Sequence, residues 1–65
     1  MVENVEWRGL IDGQVMFGIS GPPEFARREA YRYAYQYLEE GDVMLQARDY
    51  GKGKWQRVTC LKVMS

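Results

Sequence analysis

The side chains that could carry chemistry in this chain of 65 residues are few, and their types exclude most catalysis. The sequence contains no histidine and a single cysteine, Cys60. Without histidine there can be no Ser-His or Cys-His nucleophile pair, and the commonest general acid-base group is missing. One cysteine and no histidine cannot build a zinc site. The sequence therefore predicts a protein that is not an enzyme and that holds no metal or cofactor.

The remaining reactive groups have ordinary structural interpretations. Cys60 falls at a position whose alternation predicts that the thiol faces the core, where it would be inert. The acidic residues at 39–42 surround a helix end but lack the spacing of a calcium-binding loop. The glycines at 51 and 53 belong to a hairpin turn and not to a helix N-terminus, so they do not form a phosphate-binding motif.

Basic and aromatic side chains are concentrated near the C-terminus, and this composition predicts a site that binds a partner molecule. Arginine, tyrosine and tryptophan are the residues enriched at the energetic centres of protein interfaces. A smaller patch is predicted along the outer edge of the helix, at Arg28, Arg32 and Tyr35. For both patches the alternative is an ordinary solvated surface. The predicted partner-binding residues of the last hairpin are Arg48, Tyr50, Lys52, Lys54, Trp55 and Arg57.

A single helix is predicted at residues 22–38, and the rest of the chain is organised around it. Apolar residues recur there at steps of three and four, which is the period of a helix with one buried face. Pro22 and Pro23 suit the first turn, where a missing N–H costs nothing, and Glu24 suits the positive end of the helix dipole. The predicted inner face consists of Ala26, Ala30, Tyr33, Ala34, Tyr37 and Leu38.

Two hairpins flank the helix. Alternating apolar residues bounded by glycine-containing turns predict strands at residues 3–10, 14–20, 42–50 and 55–63. The chain is therefore predicted to be one domain, residues 1–65, with an α+β fold in which a single helix packs on a four-stranded, mostly antiparallel sheet in the order β-β-α-β-β. The predicted core consists of Val5, Trp7, Val15, Phe17, Ile19, Ala26, Ala30, Tyr33, Ala34, Tyr37, Leu38, Val43, Leu45, Ala47, Val58 and Cys60.

The pairing of the first hairpin can be predicted from its apolar residues. A two-residue loop would place Arg8 opposite Phe17 on the apolar face. A three-residue loop at residues 11–13 instead pairs Trp7 with Phe17, so that the apolar side chains share one face. We therefore predict the three-residue loop, with Gly13 in the left-handed conformation that its third position requires.

The second hairpin is predicted to turn at residues 51–54. Pairing the ends of that turn puts Ala47 opposite Val58 and Leu45 opposite Cys60, which gives an apolar face toward the helix. One helix cannot cover the other face of the sheet. That uncovered face is predicted to hold Leu10, Met16, Met44, Leu61, Trp55 and Tyr50, with Arg8, Arg48 and Arg57 among them.

The uncovered face leaves three interpretations open beside ordinary surface. It could bind a foreign protein, pair two copies of the chain as a homodimer, or stack the bases of a single-stranded nucleic acid. The formal net charge is zero, so no overall field attracts nucleic acid or an acidic membrane. No apolar run has transmembrane length, no secretory signal is seen, and one cysteine is unlike a secreted disulfide scaffold. A cytoplasmic protein without a membrane partner is expected.

The order of elements after residue 22 resembles that of a known group of proteins. The helix, the segment 41–44 (Gly-Asp-Val-Met), a third strand, a glycine turn and then Lys54-Trp55 resemble small phage-encoded anti-CRISPR proteins of the type I class. The resemblance covers roughly the C-terminal two-thirds of the chain, and some of these proteins are single-helix α+β domains of similar size. It implies a non-enzymatic inhibitor in the host cytoplasm that docks on a host CRISPR surveillance complex, often where DNA would bind. Arg48, Lys52, Lys54 and Arg57 could serve that role here.

Overall fold

One helix lies on one face of a four-stranded sheet in the computed structural model, which describes residues 3–63. The elements are β1 (Val5–Ile11), β2 (Gln14–Gly21), α1 (Pro23–Tyr37), β3 (Val43–Asp49) and β4 (Gln56–Leu61). The strands are all antiparallel in the spatial order β2-β1-β3-β4, and the helix packs against β1, β2 and β3. This confirms the predicted α+β fold and adds the strand order, which puts β2 and β4 at the two edges.

Small side chains bring the helix close to the sheet. Ala26, Ala30 and Ala34 lie on successive turns of α1 and are fully buried, as their spacing predicts. The helix begins with Pro22 as its N-cap, and the backbone carbonyl of Pro22 accepts a 2.9 Å hydrogen bond from the N–H of Ala26. Proline fits there because the first N–H groups of a helix have no partner within the helix.

The core is completed by large side chains from the two central strands. Leu45 and Val43 of β3 are fully buried, and Trp7 of β1 is only 7% exposed. Trp7 packs against Tyr31 of the helix, with ring centroids 6.0 Å apart. Tyr31 was not among the predicted core residues. Tyr33 was predicted in the core, but it is partly exposed and is not among the side chains packed against the buried residues.

The first hairpin turns through two residues, so the predicted three-residue loop is wrong. Ile11 pairs directly with Gln14, and both residues between them have positive φ, 51° at Asp12 and 79° at Gly13. Two left-handed residues in succession form the turn whose twist matches that of the flanking strands. Asp-Gly is a sequence that tolerates both positions, which explains why the shorter loop is preferred here.

A β-bulge in β2 restores the burial that the longer loop was predicted to provide. Leu10 pairs with Val15, but Gly9 pairs with Phe17, so Met16 is an extra residue without a partner of its own. Phe17 therefore still faces the helix, as predicted. Val15 does not, because it lies before the bulge and is 50% exposed. The prediction that Val15 belongs to the core is wrong.

A second β-bulge lies in β4 and changes the predicted pairing of the last hairpin. Gln46 pairs with Arg57 and Leu45 with Thr59, so Val58 is the extra residue. Val58 is 45% exposed and is not part of the core, contrary to the prediction. Bulges are common in edge strands, where they twist the edge and discourage pairing with another chain.

The bulge in β4 exchanges the predicted faces of two neighbouring residues. Cys60 pairs with Met44 on the face away from the helix, whereas it was predicted in the core. Leu61 pairs with Val43 and packs against the core, whereas it was predicted on the uncovered face. Because side chains alternate along a strand, one inserted residue reverses the face of every residue on one side of it.

Candidate functional site

An apolar row crosses all four strands on the face of the sheet opposite the helix, which we call the outer face. Leu10 pairs with both Val15 and Met44, and Met44 pairs with Cys60, so the four side chains form one continuous line from edge to edge. Each of these side chains is at least partly exposed. We call these four residues the apolar row. The two-residue turn places Val15 opposite Leu10, and the bulge in β4 places Cys60 opposite Met44 on the outer face.

A polar row runs beside the apolar row on the same face, two residues further along the strands. Arg8 pairs with Gly18 on one side and with Gln46 on the other, and Gln46 pairs with Arg57. The Nε of Arg8 donates a 2.7 Å hydrogen bond to the Oε1 of Gln46. Since Gln46 is neutral, this hydrogen bond does not compensate the positive charge of Arg8, which lies at the border of the apolar row.

Trp55 lies over the outer face at the end of the loop that joins β3 to β4. The guanidinium carbons of Arg8 and Arg48 lie 4.3 and 4.4 Å from the centre of its ring. Each such cation–π contact contributes about 0.5–1 kcal/mol at a partly exposed site. Trp55 is partly buried by these contacts and stays outside the core, on the outer face as predicted. The two arginines fix the orientation of the indole before any partner binds.

Glu6 ties the same loop to the first strand. Its Oε1 accepts hydrogen bonds from the backbone N–H of Gly51 at 2.9 Å and from the Nε of Arg48 at 3.0 Å. The Nη1 of Arg48 also donates to the carbonyl oxygen of Gly53 at 3.4 Å. The hydrogen bond from Gly51, with the neighbouring Arg48 guanidinium, lowers the pKa of Glu6 from its ordinary value. Glu6 and Arg48 therefore hold the loop that carries Trp55.

We expect the contribution of Glu6 to stability to disappear in acid. The pKa of Glu6 is lowered in the folded state, so its stabilisation is fully present above the unfolded pKa and is lost as the pH falls through the folded pKa. Thermal melts of the wild type and of Glu6→Gln should therefore differ at neutral pH and converge toward acid. Glu3→Gln, which removes an exposed carboxylate nearby, is the control. A gap between wild type and Glu6→Gln that stays constant with pH would contradict the assignment.

The structure brings together only part of the predicted hairpin site. Arg48 and Trp55 are in contact on the outer face, and Arg57 lies on the same face as the partner of Gln46. Lys52 and Lys54 instead line a groove on the opposite side of the sheet, next to the start of the helix. The predicted site is thus divided between the two faces of the sheet.

The other predicted positions are exposed but lie apart. Tyr50 is exposed beside a shallow depression near the N-terminal end of β1. On the helix, the Nη2 of Arg32 lies 2.7 Å from the Oε1 of Glu29, and the Nε of Arg28 lies 4.0 Å from its Oε2. Glu29 thus offsets much of the charge of the predicted helix-edge patch. Tyr35 remains 61% exposed, so this edge presents one tyrosine beside paired arginines.

Three residues of the outer face were not predicted as part of a binding site. Val15 and Cys60 were assigned to the core, and Arg8 was not among the predicted site residues. The Asp-Gly pair was a signal for a two-residue turn, and that turn places Val15 opposite Leu10. We find no corresponding signal in the sequence for the bulge that places Cys60 on the outer face.

Comparisons with known proteins identify no relative for this chain: no protein-family model matches it, and neither does any curated protein or solved structure. Between residues 3 and 63, no helix has the length and apolar character needed to cross a membrane. The same residues contain no cluster of three or more acidic, cysteine or histidine side chains that could hold a metal ion.

Proposed function

We propose that this protein is a non-catalytic protein-binding module that contacts its partner through the outer face of the sheet. The observation that carries the proposal is the apolar row, which crosses all four strands and has charged side chains along one side. An apolar centre bordered by arginine and tryptophan is the composition typical of the buried part of a protein interface. A flat partner surface could cover the row and Trp55 together.

The energetics favour a protein partner because the exposed groups are of the kind that gain from burial. Removing apolar surface from water contributes about 25 cal/mol per Å². Trp55 is already oriented by Arg8 and Arg48, so little side-chain entropy would be lost when a partner packs against it. The row and the indole therefore supply affinity, and the arginines supply polar contacts at the border.

Binding of single-stranded nucleic acid is the second candidate, favoured by the presence of an indole and three arginines on one open sheet face. Two observations weigh against it. The guanidinium groups of Arg8 and Arg48 already lie against the ring of Trp55, where a base would have to stack. The carboxylate of Glu6 bonds to Arg48 and would repel a phosphate backbone. A protein partner requires neither contact to be broken.

We expect capture of a partner to depend on the outer face and not on the helix. Tagged wild-type protein and the variants Val15→Lys and Trp55→Ala would be used to capture proteins from a bacterial lysate, with quantification by mass spectrometry. A charge in the apolar row, or loss of the indole, should reduce recovery of a specific partner by at least about tenfold, the equivalent of 1.4 kcal/mol. Both positions are partly exposed, so the variants should remain folded.

Tyr35→Ala is the matched control, because it removes an exposed aromatic side chain from the opposite side of the molecule. Recovery of the same proteins by all variants, or of none by the wild type, would contradict the proposal. Sedimentation equilibrium of the wild type would show whether the partner is a second copy of the chain. Binding of a labelled oligothymidine that weakens steeply with salt and is lost in Trp55→Ala would favour the nucleic-acid candidate instead.

The finer prediction, that the partner is a host complex inhibited by a phage protein, is supported only by the resemblance in element order after residue 22. It stays a prediction. Arg48, Trp55 and Arg57 are the members of the predicted hairpin site that share the proposed surface with the apolar row. The same capture experiment would identify a CRISPR surveillance complex if that prediction is right.

A further inference from the structure

A second candidate surface lies on the helix side of the sheet, where α1 does not extend over the last hairpin. It is a groove of about 570 Å³ between the first turns of the helix and the loop that joins β3 to β4. We call it the basic groove. Four cations line it, and three apolar side chains form its floor: Arg27, Arg48, Lys52 and Lys54 beside Val5, Trp7 and Ala47.

The charge of the basic groove is largely uncompensated. Arg48 is paired with Glu6, but Arg27, Lys52 and Lys54 take no part in the ion pairs formed within residues 3–63. Asp49 is the acidic residue of the lining. A groove with more positive than negative side chains, in a chain of zero net charge, concentrates a local positive potential that the molecule as a whole does not have.

The floor of the groove is rigid and apolar. Trp7 is a core residue, and its ring packs against Tyr31 of the helix. The guanidinium of Arg27 lies 5.3 Å from the centre of the Tyr31 ring, so this cation is held in place by an aromatic side chain anchored in the core. Ala47 adds little bulk, which leaves space above it. A ligand would therefore meet a cation that lies against an aromatic ring, beside an apolar depression.

We propose that the basic groove binds a short acidic segment of a protein partner, with carboxylates at Arg27, Lys52 and Lys54 and an apolar side chain on the floor. This inference rests on the proposed function, because it adds the chemistry of a second contact to the same protein-binding module. A peptide fits the groove better than a nucleic acid does. A peptide can place its carboxylates at the cations and an uncharged residue beside Asp49, whereas a phosphate backbone carries a charge at every nucleotide, and an apolar floor suits an amino-acid side chain.

The test uses the full chain and a fluorescein-labelled peptide of alternating glutamate and leucine, with binding followed by fluorescence anisotropy. The double variant Arg27→Glu/Lys54→Glu should bind at least about tenfold more weakly than the wild type, because two attractions become repulsions. The control is Arg28→Glu/Lys62→Glu, which changes the net charge equally at positions outside the groove. Its affinity should stay within about twofold of the wild type when salt screens distant charges. A peptide with serine in place of leucine should bind less tightly.

Three results would overturn this inference: no binding of the peptide to the wild type, equal weakening by the two double variants, or tighter binding of an oligothymidine in the same groove. Val15→Lys and Trp55→Ala separate the inference from the proposed function, since both should bind the peptide like the wild type. If the peptide fails while Val15→Lys still loses its captured partner, the groove proposal is wrong and the proposed function stands. If the peptide binds the wild type but capture of a partner does not depend on the outer face, the groove proposal stands and the outer face is not the partner-binding surface.

Discussion

Replacement of Leu45 by alanine is expected to lower the free energy of unfolding by about 2–5 kcal/mol, the largest effect of any substitution considered. Leu45 is fully buried in β3, at the centre of the sheet beneath the helix. A domain of this size buries a small core and has little stability to lose. The variant should therefore be partly unfolded at room temperature. Urea denaturation followed by circular dichroism measures the change directly.

Val58→Ala is the control for Leu45→Ala, and it also tests the bulge in β4. Regular pairing of the last hairpin would place Val58 in the core opposite Ala47. The structure gives Val58 no partner and leaves it 45% exposed, so truncation should cost less than about 0.5 kcal/mol. A loss comparable with that of Leu45→Ala would show that Val58 is buried and that the bulge is misplaced.

Gly9→Ala is expected to destabilise the fold by about 1–3 kcal/mol, although it adds only one methyl group. A Cβ atom at Gly9 would lie 2.2 Å from Cε2 and 2.4 Å from Cζ of Phe17, so the ring would have to move. The ring cannot move freely, because it is stacked on Tyr37 at 5.4 Å and contacts Tyr33 at 5.8 Å. Thermal and urea denaturation would both record the loss.

Gly18→Ala is the matched control, since Gly18 lies in β2, the strand paired with the one that contains Gly9. The nearest atom to a Cβ there is the carbonyl oxygen of Trp7 at 3.8 Å, an ordinary contact, so the change should be small. The double variant Gly9→Ala/Phe17→Leu should lose less than the sum of its single variants, because removing the ring also removes the clash. Additive losses would contradict the packing of Phe17 on Gly9.

The proposed interface depends on the two-residue turn of the first hairpin and on the bulge in β4, and the sequence therefore predicted only part of it. Local alternation predicted the four strands, but it assumed a longer first loop and regular pairing, and so it assigned several apolar residues to the wrong face. The turn places Val15 opposite Leu10 and the bulge in β4 places Cys60 opposite Met44, which completes the apolar row on the outer face. Trp55 was predicted on that face, yet its contacts with Arg8 and Arg48 join three segments that are distant in the chain.

The sequence by itself determined the kinds of elements, their order and the buried face of the helix. Those features follow from local periodicity and from the positions of proline and glycine, which are properties of neighbouring residues. Only the tertiary structure decided the strand order, the register at the bulges and the division of the basic hairpin between the outer face and the basic groove. These three features depend on which segments pair across the sheet. That pairing is set for the whole domain at once, because it must bury the apolar side chains and also satisfy the backbone hydrogen bonds.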